Sequence, residues 1–173
     1  MAKRQYNTWQ EREDCVIEIN LTQGKVALID KTDLEKVLPW KWCAHFECGR
    51  WYAYSSVTVG PYKSKLLRMH RIILEPPDGM EVDHVNHDGL DNRRYNIRIA
   101  TRSQNLANRD RPVGRNYRYK GIYCIRNRPL RKPWTARLSK EKLGYFATEI
   151  EAAHAYNQAA RERFGEFAVL NPI

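Results

Sequence analysis

Short alternations of apolar and polar residues mark the start of the chain as β-rich. Residues 16–19 and 25–29 alternate on either side of a Thr-Gln-Gly turn, and residues 51–59 are rich in aromatic and β-branched side chains. Residues 30–37 predict one short helix. The pattern therefore predicts a β-rich segment over residues 1–65, and it says little about chemistry.

The next segment, residues 66–110, predicts a hairpin followed by a helix. Residues 81–85 suit a strand, residues 86–94 form a loop rich in Asp and Asn, and residues 97–99 resume the alternation. Thr101 opens a capping box, in which a Gln three residues later can reach back, so a helix is predicted to follow it. The predicted unit is β-β-α.

Four polar residues of this unit form a pattern suited to phosphodiester cleavage. His84, with an unperturbed pKa of about 6.5, suits the removal of a proton from water. Asp83 and Asn105 offer hard oxygen ligands, which favour Mg²⁺ or Mn²⁺ over zinc, and water would complete the coordination shell. Asn96 enters the second strand. Adjacent strand residues point to opposite faces, so Asp83 and His84 share a site only if the strand ends or twists there.

The last segment, residues 119–173, follows a linker over residues 111–118 and predicts a sheet with one helix. Three strands are predicted, over residues 119–125, 134–139 and 142–146. A second capping box at Thr148 opens an alanine-rich helix that can cover the apolar face of the sheet. The polar face would carry Arg137 and Lys142 on a surface narrow enough for a DNA major groove. The predicted fold class is α+β.

The charge of the chain indicates a polyanionic partner. The net charge is +10, and residues 94–140 hold 14 Lys or Arg against one acidic residue. Aromatic residues within this block favour a folded surface over a disordered basic linker. There is no 18-residue apolar run and no signal-like N-terminus, so a cytoplasmic protein without a membrane partner is expected. The four cysteines include no CxxC pair and are expected to be reduced.

Four stretches of the β-β-α segment resemble the HNH homing endonucleases of phages, the ββα-metal or His-Me finger nucleases. They are residues 69–74, 82–84, 89–98 and 100–105. The resemblance implies that His84 is the general base, that Asn96 braces the loop, and that Asp83 and Asn105 hold one Mg²⁺ or Mn²⁺ ion per active site. The last motif position is Asn rather than His, as in the intron-encoded members that nick DNA. His70 and His87 lie outside the motif; we interpret His70 as a supporting strand residue and His87 as a loop or phosphate-facing residue.

A second resemblance, to the plant ethylene-response-factor (Apetala-type) DNA-binding domain, covers much of residues 119–171. Its matching stretches are residues 119–122, 134–138, 143–146, 151–156 and 168–171. It implies a three-stranded sheet in the major groove with a helix behind it. Lys120 stands where the plant domain has a DNA-contacting Arg, Tyr123 replaces another such Arg and Lys142 replaces a Trp, so the sequence preference does not transfer.

These observations lead to a DNA endonuclease as the main hypothesis. The candidate DNA-contacting residues are Arg93, Arg94, Arg118, Lys120, Tyr123, Arg126, Arg128, Arg137 and Lys142. The expected protein is a metal-dependent homing-type enzyme that nicks double-stranded DNA, uses no small-molecule cofactor, and acts as a monomer, or as a dimer if both strands are cut. A phage gene expressed in a bacterial host is expected. The alternative is a DNA-binding transcription regulator with a relic HNH unit. An RNA-binding protein would explain the charge but not the metal ligands.

Overall fold

The computed structural model describes residues 7–12, 14–109, 118–125 and 131–173. The chain divides into two compact units, Met1–Arg102 and Ser103–Ile173. Within the described residues, the first unit contains three small antiparallel sheets and short helices, and the second contains one antiparallel sheet and a longer helix. This combination confirms the predicted α+β fold class. The boundaries predicted after residues 65, 110 and 118 stay predictions. In the described part of the chain, no helix is both long and apolar enough to span a membrane.

The first unit opens with an antiparallel sheet in the order β1-β2-β3. Its strands are β1 (Trp9–Glu11), β2 (Val16–Asn20) and β3 (Val26–Asp30). Ile17 and Ile19 of β2 and Ala27 and Ile29 of β3 are buried, as the alternation predicts. A 3₁₀ turn, Lys31–Asp33, then leads into the four-residue helix α1 (Leu34–Val37), so the predicted helical segment is confirmed.

A second antiparallel sheet has the order β4-β5-β6, followed directly by a helix. These elements are β4 (Cys43–Glu47), β5 (Arg50–Gly60), β6 (Lys63–Arg68) and α2 (Met69–Leu74). The strand predicted around His70 is wrong, because that residue lies on α2. The β-branched Ile72 and Ile73 favour a strand when only the local sequence is considered. In the structure Met69 and Ile73, four residues apart, are both fully buried, and this spacing places them on one face of a helix.

The predicted hairpin and the helix that follows it are both present, and each strand ends within one residue of its predicted end. The elements are β7 (Glu81–His84), β8 (Ile97–Ala100) and α3 (Arg102–Ala107), and β7 pairs antiparallel with β8. Val82 and Ile97 of this hairpin share one buried cluster with Ile17, Trp42 and Met69, so the core draws on both sides of residue 65. Trp42 is a core residue whose indole N–H donates to the Val37 carbonyl at 2.9 Å.

The second unit contains a three-stranded antiparallel sheet and a long helix. Its elements are β9 (Ile122–Cys124), β10 (Trp134–Leu138), β11 (Glu141–Phe146) and α4 (Glu149–Phe164), with the order β11-β10-β9. The Thr148 hydroxyl accepts the Glu151 N–H at 3.1 Å, as the capping box predicts. The strand β9 begins later than expected, because Gly121 has a φ of 74° and its Cα approaches the Tyr156 ring too closely for a side chain.

Candidate active site

A polar loop, residues 85–96, joins β7 to β8, and Asn96 ties its two ends together. The Asn96 side chain accepts the Asn86 N–H at 2.9 Å and donates to the Asp91 carbonyl at 2.8 Å, while its own carbonyl accepts the Val85 N–H at 2.8 Å. Asn96 is 1% exposed, so every one of these hydrogen bonds replaces a bond to water that burial removes. The loop therefore has one defined conformation.

Asp91 is a second residue on which several hydrogen bonds of this loop converge, and its role was not predicted from the sequence. Its carboxylate accepts two hydrogen bonds from the Arg93 guanidinium, at 2.7 and 2.8 Å, and one each from Asn86 at 3.1 Å and Tyr95 at 3.3 Å. Burial opposes ionisation, but the hydrogen bonds and charge of Arg93 outweigh it, and the pKa of Asp91 lies below its ordinary value. Asp91 thus stays a carboxylate inside the loop.

The N-terminal sheet holds the loop from outside. The Leu28 N–H of β3 donates to the Leu90 carbonyl at 2.9 Å, and the Leu28 carbonyl accepts the Asn92 N–H at 2.8 Å. The Arg94 guanidinium also binds the buried carboxylate of Asp33, at 2.6 and 2.8 Å. Because these bonds use β3 and the turn after it, the N-terminal segment supports the position of the loop.

His84, the last residue of β7, is 7% exposed and lies against the loop. Its Nε2 is 3.4 Å from the Asn92 Oδ1, and the Asn92 amide donates to the Leu90 carbonyl at 3.0 Å, which orients the oxygen towards the imidazole. Burial lowers the pKa of His84, although the Asn92 hydrogen bond and the charges of Asp83 and Asp88 oppose the shift. The result is a neutral imidazole, the form that can accept a proton.

Two aromatic rings pack on this imidazole. The His70 ring centroid lies 5.0 Å away at an interplanar angle of 82°, and that of Tyr52 lies 6.0 Å away at 61°. Burial, with the charges of His84 and Arg68, lowers the pKa of His70 well below its ordinary value. Gly89 of the loop sits on Tyr52 so closely that an added Cβ would be 2.4 Å from the ring. Sequence reasoning missed Tyr52 and Asn92; the glycine in a polar loop was the one local signal of a close approach.

Asp83 lies beside His84 on β7 and is 4% exposed. Arg98, its partner across the ladder to β8, donates from Nε to the Asp83 Oδ2 at 3.0 Å and places Nη2 2.9 Å from the same atom. A cation bound by Asp83 would share this carboxylate with Arg98. In donor chemistry, a carboxylate and an amide oxygen fit a hard ion such as Mg²⁺.

Asn105, the other predicted metal ligand, lies on α3 within the second unit and is partly buried. It stands three residues before Asn108, which is buried. Across residues 7–12, 14–109, 118–125 and 131–173, no group of three or more His, Cys, Asp or Glu side chains is arranged to hold a metal ion. The structure therefore places His84 and Asn96 at the two ends of the loop of residues 85–96 and Asp83 on β7 in an ion pair with Arg98, and the pairing of Asp83 with Asn105 stays a prediction.

Three of the predicted DNA-contacting residues, Arg93, Arg94 and Lys120, bind carboxylate or carbonyl groups of the chain. Arg93 and Arg94 bind Asp91 and Asp33 as described above. The Lys120 ammonium donates to the carbonyls of Ala107 and Arg109, both at 2.6 Å. The charged groups of these three residues therefore form hydrogen bonds within the chain, and their DNA-binding role stays a prediction.

The remaining predicted contacts lie in the second unit. Arg118, Arg137 and Lys142 are exposed, and Tyr123 is partly buried. Arg137 and Lys142 face each other across the β10–β11 ladder, where the register shifts after Ala136. Arg126 and Arg128 lie outside the described residues.

Comparison with known proteins places the β-β-α unit in a wider group. Residues 69–107, from the start of α2 to the end of α3, match a family model described as HNH endonuclease. Over 130 residues the chain is 30% identical to a protein of Acanthamoeba polyphaga mimivirus named an uncharacterized HNH endonuclease, and the match covers 72% of this chain and 67% of that protein. No solved structure matches the chain.

Proposed function

The chain belongs to the HNH endonuclease family, and from this premise we propose that it is a metal-dependent endonuclease of the homing type that nicks duplex DNA. The observation that carries the proposal is the buried His84, whose pKa burial lowers and which lies against a loop held by the hydrogen bonds of Asn92 and Asn96. A general base must be unprotonated and correctly oriented before substrate arrives, and both conditions follow from contacts within the first unit.

The tautomer of His84 follows from its neighbour. The Asn92 oxygen can only accept a hydrogen bond, so Nε2 carries the proton when that bond forms. The lone pair is then on Nδ1, which accepts a proton from the attacking water. Asn92 holds the ring in this tautomer, and Asn96 keeps the loop that carries Asn92 in place.

Asp83 and Asn105 would hold one Mg²⁺ or Mn²⁺ ion, with the scissile phosphate and water as further ligands. When bound, the ion would counter the negative charge that develops on the leaving 3′ oxygen. Attack in line with that oxygen produces a 5′-phosphate and a 3′-hydroxyl. With one such site per chain, a monomer nicks one strand.

The second unit supplies DNA binding in this proposal, as an ethylene-response-factor-like domain. Its three-stranded sheet with one helix, and the exposed Arg137 and Lys142 on adjacent strands, support this role. Arg118, Tyr123, Arg126 and Arg128 complete the proposed contact set. The phage and cytoplasmic assignments rest on the sequence alone and stay predictions.

One contact favours the alternative, a DNA-binding regulator with a relic nuclease unit. Arg98 neutralises Asp83 in a buried ion pair, an arrangement that would also stabilise a hairpin without any metal. The two functions therefore differ in whether the chain cuts DNA at all.

The deciding experiment is a plasmid-nicking assay on supercoiled DNA that includes the protein's own locus. Wild type with Mg²⁺ or Mn²⁺ is expected to convert supercoiled to open-circular DNA, and EDTA and His84→Ala are each expected to abolish the conversion. His154→Ala, on the exposed side of α4, is the matched control. If wild type binds this DNA but leaves it supercoiled with either metal, the regulator hypothesis replaces the nuclease.

A further inference from the structure

The β5–β6 hairpin has an outer half that contributes nothing to the core. Ala53, Tyr54 and Ser55 of β5 are buried, but residues 56–66, which we term the distal ribbon, are exposed or only partly buried. Even the apolar Val59 and Leu66 are 55% and 66% exposed. Both faces of the distal ribbon therefore meet solvent.

An exposed two-stranded ribbon gains little folding free energy from its own contacts. Two strands alone are marginally stable in water, because they bury too little apolar surface to offset the ordering of the chain. The distal ribbon keeps paired residues from Ser56 opposite Leu66 to Gly60 opposite Lys63, although none of its residues is buried by the described part of the chain. A role outside the core would explain this length.

The charge of the hairpin indicates the nature of that role. Lys63 and Lys65 lie two residues apart on β6 and so share one face, opposite Gly60 and Val57. Residues 48–74 contain no Asp or Glu, whereas the chain outside the basic block of residues 94–140 has a net acidic charge. The ribbon is thus a local concentration of positive charge in the first unit.

The same strands are attached to the candidate base. Tyr52, whose ring packs on His84, lies on β5 four residues before the distal ribbon begins. His70, whose ring also packs on His84, follows the end of β6 by two residues. The distal ribbon therefore continues the strands that position two rings, Tyr52 and His70, against His84.

We propose that the distal ribbon is a duplex-DNA-binding element of the first unit, with Lys63 and Lys65 on backbone phosphates and the fully exposed Tyr62 at its tip. A two-stranded ribbon has the width that a major groove admits. A second copy of the chain is the weaker candidate, because lysines on the edge strand β6 oppose pairing with another strand and the chain's charge of +10 repels itself. The inference rests on the proposed function for its substrate.

The geometry sets an expected distance. Eight residues separate Tyr52, whose ring packs on His84, from Gly60, the partner of Lys63. A strand advances roughly 3.3 Å per residue, so Lys63 lies about 26 Å along the hairpin from Tyr52. With about 3.4 Å per base pair, the contact of Lys63 should lie about eight base pairs from the nicked bond. That of Lys65, opposite Val57 and only five residues from Tyr52, should lie about five base pairs from it.

The test compares the full-length Lys63→Ala/Lys65→Ala variant with wild type and with Lys41→Ala, an exposed lysine outside the ribbon. Equilibrium binding to duplex DNA is measured in EDTA over a series of salt concentrations. Losing two phosphate contacts should lower the slope of log affinity against log salt by about 1.8 and weaken binding roughly ten-fold, while Lys41→Ala stays close to wild type.

Nicking by the same proteins separates this inference from the proposed function. The double variant should need more enzyme for half-maximal rate in single-turnover reactions but reach the wild-type maximal rate. Unchanged affinity and salt slope in the double variant would overturn the inference even if wild type nicks. Absence of nicking by wild type would instead overturn the proposed function, because the EDTA binding experiment judges the ribbon without any cleavage. Ethylation interference about five and about eight base pairs from the nick, lost in the double variant, would locate the two contacts.

Discussion

Polar side chains serve opposite purposes in the loop of residues 85–96 and on the sheet of the second unit. In the loop, Asp91, Asn92 and Asn96 are at most 3% exposed and bind one another or nearby backbone. On the sheet, Arg137 and Lys142 point to solvent from neighbouring strands. The loop uses its polar groups to determine its own geometry, and the sheet keeps its charges available to a partner.

This difference teaches how the two regions should respond to mutation. A buried polar group that loses its partner keeps the full cost of dehydration, so loop variants should lose stability or catalytic geometry. An exposed charge has a small effect on folding, so sheet variants should lose only affinity. The following variants test this expected difference between the loop and the sheet.

The largest effect is expected for His84→Ala in single-turnover nicking. Removal of a positioned general base costs about 10³-fold in the maximal rate. The enzyme concentration for half-maximal rate should not change, since the imidazole is buried and contributes little to DNA affinity. A variant that instead keeps its maximal rate and loses affinity would assign His84 to binding, and would remove the functional contrast between loop and sheet.

Asp91→Ala should have the largest effect on folding. It leaves the Arg93 guanidinium without its carboxylate inside the loop, and breaking such a buried pair costs about 3 kcal/mol in the free energy of unfolding. Urea denaturation measures this value, with the exposed Asp78→Ala as the control, expected within about 0.5 kcal/mol of wild type.

Acid should remove the stabilisation that Asp91 provides. Its pKa is lowered in the folded state, so the contribution is present above the ordinary value of 3.8 and is lost as pH falls through the folded-state pKa. Wild type and Asp91→Ala should therefore converge in stability at acid pH. A constant difference between them would show that lost packing, and not the charge pair, explains the cost.

A smaller loss of stability on acidification, at higher pH than that of Asp91, is expected from His70 and is tested with His70→Phe. The pKa of His70 is lowered in the folded state, so the unfolded chain binds its proton first as pH falls below the ordinary value of 6.5. Wild type should lose stability there by up to about 1.4 kcal/mol per pH unit from this residue, until the folded-state pKa is reached. The variant should show a correspondingly flatter curve of unfolding free energy against pH between 6.5 and 5. His45→Phe, which replaces an exposed histidine on β4 in the same way, is the control for the change of side chain.

The smallest effect should come from Arg137→Ala. One lost phosphate contact should weaken DNA binding several-fold and lower the salt slope by about 0.9, without changing the free energy of unfolding. Arg161→Ala on the exposed side of α4 provides the matched loss of charge away from the sheet. Equal effects of the two variants would mean that the sheet has no special role in binding.

Most of the strands and helices could be predicted because their patterns are local. The starts of α3 after Thr101 and of α4 after Thr148 agree with the structure, and so does the burial of alternate residues on β2 and β3. The short helix α2 could not be predicted, since its β-branched residues satisfy a strand as well as a helix and only burial in the tertiary structure distinguishes the two.

The candidate site was predictable only where a motif carries it. His84 was singled out by its chemistry within the motif and the bracing role of Asn96 by the family resemblance, and the structure places both residues at the same loop. The role of Asn92 was missed because it depends on a distant partner, the Leu28 backbone on β3. The role of Asp91 was missed because its hydrogen bonds to Asn86, Arg93 and Tyr95 depend on how the loop folds and follow no periodic pattern. The pairing of a loop with the edge of a distant strand leaves no periodic signal in either segment.

The attachment of the loop to β3 limits how this nuclease can be transplanted. A fragment that begins at residue 66 would retain every motif residue but would lose the Leu28 backbone bonds, the Asp33 carboxylate that binds Arg94, and the apolar side chains that complete the core. The motif residues therefore do not form an independent folding unit. A chimaera that borrows this cutting activity should carry the N-terminal sheet with it.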